Sequence, residues 1–535
     1  MNRSGTGAGA LRGVVYLALY AVMAVAAGLL AMRFVAGPFR NVLVTVQSPL
    51  NAAAIVAVGF LLLTLMAADE PASAAPRPLE ARDWAMLAIV AAATALAFRP
   101  NLGAPFVFDD YKLLADASRA SRRFLVDAFK PEPGGHGLFF RPVGFIVYWL
   151  DYQWAGLNAA RWHAWSVAAH AANGGLLYLL ARRLPLGRSA ALVAALLFAL
   201  HGSRAESVSW TGARFDLLAT LFVFAALLAV QELCRTGRRA FYVPMAACAA
   251  LAVYTKESAF CLPLLPAALL PFSRRGERRR AMEACLVLAA VCALLFAYRW
   301  YALGGIGGYV DRAGARAILH AEPLKAAEVL LYRQWGFLFF PVNWSVPLEW
   351  WLRAAAVLFI AMLMVCAWRS GASRRHLVAS IAFVLAAALP VQHLLLLPAD
   401  FAGARWLYLP IAGLAIFWGV LVEGAARSRR KWVMAAVLIA FNIAALQHNL
   451  KPWRTTPAAA AAVCRALGRE LESDPRPVSV SGLPYKRDGV FFLLNGFPEC
   501  VEMNSGQPAS RVRVLQQGAR LFVWNAERGA LEERR

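Results

Sequence analysis

The sequence predicts an all-α polytopic membrane protein of about thirteen crossing helices, with a small β-rich or α+β domain outside the membrane at the C-terminal end. Three observations carry that reading. Hydrophobic residues make up 60% of the chain, above the roughly 45–50% apolar content of soluble domains. They fall in blocks close to the ~20 residues a helix needs to cross a bilayer, without the alternation of an outer-membrane barrel. From about residue 450 onward the pattern changes to short alternating or aromatic runs separated by Gly, Pro and Asn, which is the signature of strands and turns.

Charge gives the orientation. The chain has 55 Lys+Arg against 31 Asp+Glu, a balance that in a soluble protein suggests a nucleic-acid partner. Its distribution excludes nucleic acid. The basic residues cluster in short connectors: Arg182, Arg183 and Arg188; Arg235, Arg238 and Arg239; Arg274, Arg275, Arg278, Arg279 and Arg280; Arg369, Arg374 and Arg375; and Arg427, Arg429, Arg430 and Lys431. Short basic loops stay on the cytoplasmic side. The excess of Arg over Lys fits a high-GC bacterium, and so a bacterial inner (plasma) membrane.

With those loops inside, spans are expected at 12–33, 47–68, 83–99, 162–181, 189–202, 213–233, 240–255, 258–272, 281–302, 351–368, 376–397, 405–424 and 431–448. The first is long and no small-x-small cleavage site follows it, so it reads as a retained span. Residues 1–80 form an N-terminal pair of spans that ends in the Pro/Ala-rich linker 68–82. Residues 81–450 form the main body, and 451–535 the external C-terminal domain. The apolar segment 323–341 reads as an interfacial or re-entrant helix ending at Pro341. Six cysteines lie in or beside spans as packing residues, whereas Cys464 and Cys500 share the external tail, where an oxidising compartment permits a disulfide.

This threading places several polar corners outside. The large loop 100–161 carries Asp109 and Asp110 just after a span. Ionised groups beside a bilayer are costly and are usually paired or functional, and two together can accept a proton, bind a divalent cation (Mg or Mn), or do both. A helix cap accounts for one aspartate but not for its neighbour. Arg141 precedes a Trp/Tyr-rich stretch suited to the interface, and His163 and His170 share one helix face beyond it. The turn HGSRAESVSWTG and the start of the next span bring His201, Arg204, Glu206, Arg214 and Asp216 together. That knot reads either as a self-satisfied salt-bridge cluster or as Glu206 facing the aspartates with Arg214 on a phosphate. Lys256–Glu257 and Arg405 repeat the theme at later corners, and the planar fork of Arg suits phosphate.

In order, FVFDDYKLL, FFRPVGFIVYWLDYQWAGLNAARWHAWSVAAHAANG, ALLFALHGSRAESVSWTGARFDLLATLF, YTKESAFCLPLL and GARWLYLP resemble segments of the bacterial relatives of the transmembrane and tetratricopeptide-repeat O-mannosyltransferases. These belong to the GT-C glycosyltransferase superfamily. The resemblance covers roughly residues 85–455, and the repeats of the eukaryotic members are absent from it. It implies a GT-C-like fold, a polyprenyl-phosphate sugar donor, and Asp109 or Asp110 as catalytic carboxylate. It also matches Arg141, then His201, Glu206, Arg214 and Asp216, then Lys256 and Glu257, and lastly Arg405 and Tyr408 to family motifs. Gly202 stands where the family usually has Pro, and Arg204 where a second histidine is common, which bears on any metal held at Asp109 and Asp110.

The chemistry implied is inverting transfer of a sugar to an acceptor hydroxyl on a protein, lipid or glycan at the periplasmic face. One carboxylate acts as base, with Arg141, Arg214, Lys256 and Arg405 at the donor phosphate. The competing class is a multispan transporter or flippase of a lipid-linked saccharide. Transport favours ionisable groups near the bilayer midplane and repeated halves with broken helices, whereas the charges here gather at span ends.

Overall fold

A computed structural model describes residues 4–40, 45–46, 48–68, 79–131, 138–309, 322–367, 371–425, 429–493, 495–514, 520–525 and 528–534. Arg369, Arg427 and most of the 68–82 linker lie outside the described residues. Among the described residues, eight helices are long and apolar enough to cross a membrane, and Arg188–Leu200, Arg239–Thr255 and Pro410–Gly424 are shorter apolar helices. The chain is an integral membrane protein.

Departures from the expected spans have local causes. The segment expected as one span at 258–272 breaks into a 3-10 turn Glu257–Cys261, a helix Leu264–Leu269 and a second 3-10 turn Leu270–Phe272. Pro263, Pro266 and Pro271 remove backbone donors throughout it. The helix Ala159–Arg182 is long, with Asn158 capping it by accepting from Arg161 N at 3.2 Å. It carries buried His163, Ser166, His170 and Asn173, so it is more polar than a lone span and its polar face packs inside protein. The 323–341 segment is helical from Pro323 to Phe339, with a π-turn at Val329–Arg333. It packs on the helix Leu50–Ala67, where Gly336 comes so close to Ala54 that an added Cβ would lie 3.1 Å from the Ala54 nitrogen.

The bundle has two chemically distinct ends. At one, Asp83 accepts from Arg182 Nε at 2.9 Å and Arg188 Nε at 3.3 Å, Arg183 pairs with Glu232, and Arg374 donates to the Leu65 and Ala68 carbonyls. The basic connectors therefore gather together. At the other, Asn101 Nδ2 donates to Ser209 Oγ and to the Leu450 carbonyl, so the loop after residue 100, the 201–212 turn and the last helix of the bundle meet.

The tail is less β-rich than its pattern suggests. It opens with the helix Pro452–Ser473, and VFFLLNGF contains only the short strand Val490–Phe491. The Asn-Gly at 495–496 turns the chain, and Pro498 then starts the helix Phe497–Ser505. A four-stranded mixed sheet follows the order Val512–Val514, Val478–Ser481, Arg520–Asn525, Ala530–Arg534, with Val478–Ser481 parallel to both neighbours and the last pair antiparallel. The charged strand ending in Arg534 has no apolar alternation to announce it. Phe492, Phe497 and Leu467 from this unit share a core with Phe106, Tyr111, Tyr148 and Trp162 of the 100–161 loop region.

Cys464 and Cys500 are disulfide-bonded and fully buried, joining the helices Pro452–Ser473 and Phe497–Ser505. The link closes a 36-residue separation, so Cys464→Ser is expected to cost the C-terminal unit about 2–4 kcal/mol. Limited proteolysis should cut the variant faster after residue 450 with the bundle left intact; an unchanged cleavage rate would contradict the role assigned to the bond.

Candidate active site

Asp109 and Asp110 open the helix Asp109–Arg119, where carboxylates are favoured by the exposed amides and the helix dipole. They point to different partners. Asp110 is 1% exposed. One of its oxygens accepts from Val107 N at 3.1 Å, and the other accepts from Thr211 Oγ1 at 2.6 Å and Gly212 N at 2.9 Å. Burial pushes its carboxyl up to about 7, against the pull of those three donors. Asp110 is thus a staple between the 100–161 loop and the 201–212 turn, more enclosed by protein donors than its neighbour Asp109.

Asp109 is only partly buried and accepts from Asn495 Nδ2 at 2.8 Å. Burial raises its pKa, opposed by Asn495, Arg405 and Lys112. Asp109 therefore lies in the field of Arg405, the cation nearest the next cluster.

That cluster consists of three ion pairs, each joining separate parts of the chain. Arg141 grips Glu257 with both nitrogens, Nε to Oε2 at 2.8 Å. Lys256 Nζ donates to Asp216 Oδ2 at 2.5 Å. Arg405 pairs with Glu206, whose other oxygen accepts from Arg405 N at 3.2 Å. Aromatic rings hold the guanidinium groups flat: Arg405 lies 4.8 Å from the Trp210 ring and 4.7 Å from the Trp406 ring, and Arg141 lies 4.2 Å from Phe139. Such contacts add about 0.5–2 kcal/mol when desolvated. Arg141 pulls Glu257 down to about 2 in spite of burial.

Tyr309 joins the pairs. Its ring meets Phe139 at 5.0 Å and Trp406 at 6.3 Å, edge to face, so it bridges the Arg141 and Arg405 sides. Burial would raise its hydroxyl pKa, but Arg405, Arg141 and Lys256 together hold it below the usual tyrosine value. Tyr309 thus lies in the combined field of Arg405, Arg141 and Lys256, which favours an anionic oxygen there.

Several expected members sit elsewhere. Arg214 pairs with Asp151 and donates to the Trp162 carbonyl at 2.8 Å and Ser166 Oγ at 3.2 Å; it braces the Ala159–Arg182 helix and is not at the Tyr309 cluster. Glu206 is buried and paired with Arg405. His201 is a structural link, Nε2 to the Leu338 carbonyl at 2.9 Å and Nδ1 to Ser203 Oγ at 3.0 Å. Tyr408 binds His170 Nδ1 at 2.6 Å and Asn173 Nδ2 at 3.0 Å inside the bundle, and His163 bonds the Ala104 carbonyl at 3.0 Å.

The two departures from the family pattern have local accounts. A Cβ at Gly202 would lie 2.5 Å from the Pro341 carbonyl oxygen, so the bare backbone admits the 323–341 segment. Arg204 is sandwiched between the Phe198 and Tyr408 rings at 4.2 Å each and donates Nε to the Phe198 carbonyl. Among the described residues no group of three His, Cys, Asp or Glu is placed to hold a metal. Asp110 already accepts from three protein donors and Asp109 from one, so Asp109 is the more open carboxylate of the two.

Tyr309, Asn495, Trp210 and Trp406 are the members that sequence reasoning missed. Tyr309 follows the Gly-rich run 304–308, a turn signal that indicates close backbone packing without naming a partner.

No family model matches the chain. Part of it is similar to Protein O-mannosyl-transferase Tmtc1 of Drosophila melanogaster, 28% identical over 163 residues, 29% of this chain and 19% of that protein. Protein O-mannosyl-transferase TMTC3 of Mus musculus is 30% identical over 93 residues, 17% of this chain and 10% of that protein. The chain thus spans less than a fifth of the length of these relatives. The likeness to O-mannosyltransferases implied by the motifs is present over those segments. Among solved structures, ArnT from Cupriavidus metallidurans bound to undecaprenyl phosphate is 16% identical, with 84% of this chain and 94% of that chain covered at a TM-score of 0.38. The Pmt1-Pmt2 complex of S. cerevisiae bound to the sugar donor is 15% identical, with 45% of this chain and 36% of that chain covered at 0.32. Scores this low carry no argument about fold or chemistry.

The Lys256 and Asp216 side chains are 5% and 6% exposed, so Lys256→Met alone strands a buried carboxylate and is expected to cost about 3–5 kcal/mol. Adding Asp216→Leu should restore most of that. Thermal unfolding in detergent measures both, and a double variant no more stable than the single one would show that the pair is not the source of the loss.

Proposed function

We propose that this protein is a GT-C-type membrane glycosyltransferase that moves a hexose, of the mannosyl class, from a polyprenyl-phosphate donor to an acceptor hydroxyl on a protein, lipid or glycan, with inversion. The proposed setting is a bacterial inner membrane crossed about thirteen times, with the site on the periplasmic side. The observation that carries the reading is the set of ion pairs Arg141–Glu257, Lys256–Asp216 and Arg405–Glu206, with the Tyr309 ring packed between Phe139 and Trp406 on the Arg141 and Arg405 sides and Asp109 in the field of Arg405. The O-mannosyltransferase likeness supports the reaction class.

The roles follow from the groups. Asp109, a partly exposed carboxylate, takes the proton of the acceptor hydroxyl as its oxygen forms the new bond to the anomeric carbon. The old bond from that carbon to the phosphate oxygen breaks, and its electron pair leaves with the phosphate, through an oxocarbenium-like transition state. The charge that grows on the leaving lipid phosphate is met by the unshared donors of Arg141, Lys256 and Arg405 and by the Tyr309 hydroxyl. Glu257, Asp216 and Glu206 hold those cations in place, so little reorganisation is needed at the moment of reaction. Attack opposite the phosphate inverts the centre.

Membranes supplied with radiolabelled polyprenyl-phosphate mannose, glucose or galactose test this through loss of label from the lipid fraction. Asp109→Asn is expected to lower turnover by about 10²–10⁴-fold in a folded protein. Asp110→Asn should act first on stability, since its amide must face one of the donors at Val107, Thr211 or Gly212. Because burial raises the Asp109 pKa and the base works deprotonated, turnover should fall as pH drops through a midpoint above the ordinary aspartate value of about 4. Full turnover by Asp109→Asn would overturn the assignment.

A further inference from the structure

The Asp109 carboxylate is placed by the C-terminal unit, from a point 386 residues further along the chain. Three contacts fix it. Asn495 Nδ2 donates to Asp109 Oδ1 at 2.8 Å. Phe108, the residue just before, has φ 53, a conformation that costs a bulky residue of order 1–3 kcal/mol and persists only where its surroundings impose it. The C-terminal unit supplies that imposition: Phe108 N donates to the Phe492 carbonyl at 3.2 Å, and the Phe108 ring stacks on Phe491 at 4.8 Å. Lastly, Gly496 lies against the start of the aspartate helix, where a Cβ would sit 3.0 Å from Lys112 N and from the Phe108 carbonyl oxygen. Its φ of +75 makes the turn that aims Asn495 at Asp109. The turn runs into the helix Phe497–Ser505, which the Cys464–Cys500 bond anchors.

We propose that Asn495 is a positioning residue for the transfer reaction: it donates to one oxygen of Asp109 and so orients the other toward the acceptor hydroxyl. The C-terminal unit is thereby part of the catalytic apparatus, completing the site from outside the bundle. The inference rests on the assignment of Asp109 as base. Asn495 is exposed, so replacing it removes the donor with little loss of buried packing.

The test uses the full-length protein in membranes and whichever polyprenyl-phosphate hexose of the mannose, glucose and galactose panel the wild type turns over fastest. Asn495→Ala, and the similarly sized Asn495→Leu, which has no donor, are each expected to lower kcat about 10–100-fold, the scale of a catalytic group misplaced by an ångström. KM for the donor should change less than about twofold, and Asn495→Gln, which keeps the amide donor, should recover part of the loss. Combined with Asp109→Asn, Asn495→Ala should add nothing, because both act through one carboxylate. Wild-type kcat in Asn495→Leu would overturn the proposal, as would a loss that adds in full to that of Asp109→Asn. If Asp109→Asn itself keeps full turnover, the reading of the site fails as a whole. If Asp109→Asn is inactive while both donorless variants match the wild type, only the positioning role fails.

Discussion

Charge buried at the edge of an apolar bundle has to be compensated, and here it is compensated pair by pair between distant parts of the chain. Arg141 with Glu257, Lys256 with Asp216, and Arg405 with Glu206 each tie one corner of the bundle to another. An unpaired member would carry a desolvation penalty of several kcal/mol, so the pairs fix where the corners lie as well as neutralising them. Aromatic rings around two of the guanidinium groups remove their remaining freedom. The result is a set of donors whose positions were settled during folding, ahead of any encounter with a ligand, and that is the condition under which fixed dipoles and charges act strongly on a reacting group.

The adjacent aspartates show how one constraint separates two identical side chains. Asp110 is drawn into the protein by Val107, Thr211 and Gly212, and its fixed position requires the next side chain on the helix to point elsewhere. Asp109 is left facing the cluster, with its own orientation governed from the C-terminal unit. The helix that the disulfide anchors therefore bears on how Asp109 is held, although it lies outside the crossing helices.

Much of this was legible in the sequence because it rests on local pattern. Apolar blocks of bilayer length and basic connectors give the bundle and its two ends, since both follow from hydration energies of single residues. The corners with charges were equally visible, because a charge between apolar spans stands out. Pairing was not visible. Nothing local distinguishes Arg214, which braces Trp162 and Asp151, from Arg405, which lies beside Tyr309, since both simply precede an apolar run. The 258–272 span was misread because its hydropathy conceals what three prolines do to the backbone. Asn495 was legible as half of an Asn-Gly turn, but what the turn touches depends on a contact 386 residues away.

The central claim is that Arg141, Lys256, Arg405 and Tyr309 form a seat for a lipid-linked phosphate beside Asp109. The direct measurement is equilibrium binding of polyprenyl monophosphate, without sugar, to the protein in lipid nanodiscs. Saturable binding is predicted that weakens about tenfold or more in a variant with Arg405→Met and Glu206→Leu, a double change that removes the cation without stranding its partner, in line with about 1.5–3 kcal/mol for hydrogen bonds to charged groups. Asp109→Asn should bind the lipid as the wild type does. Equal affinity in the wild type and the Arg405→Met, Glu206→Leu variant would contradict the account.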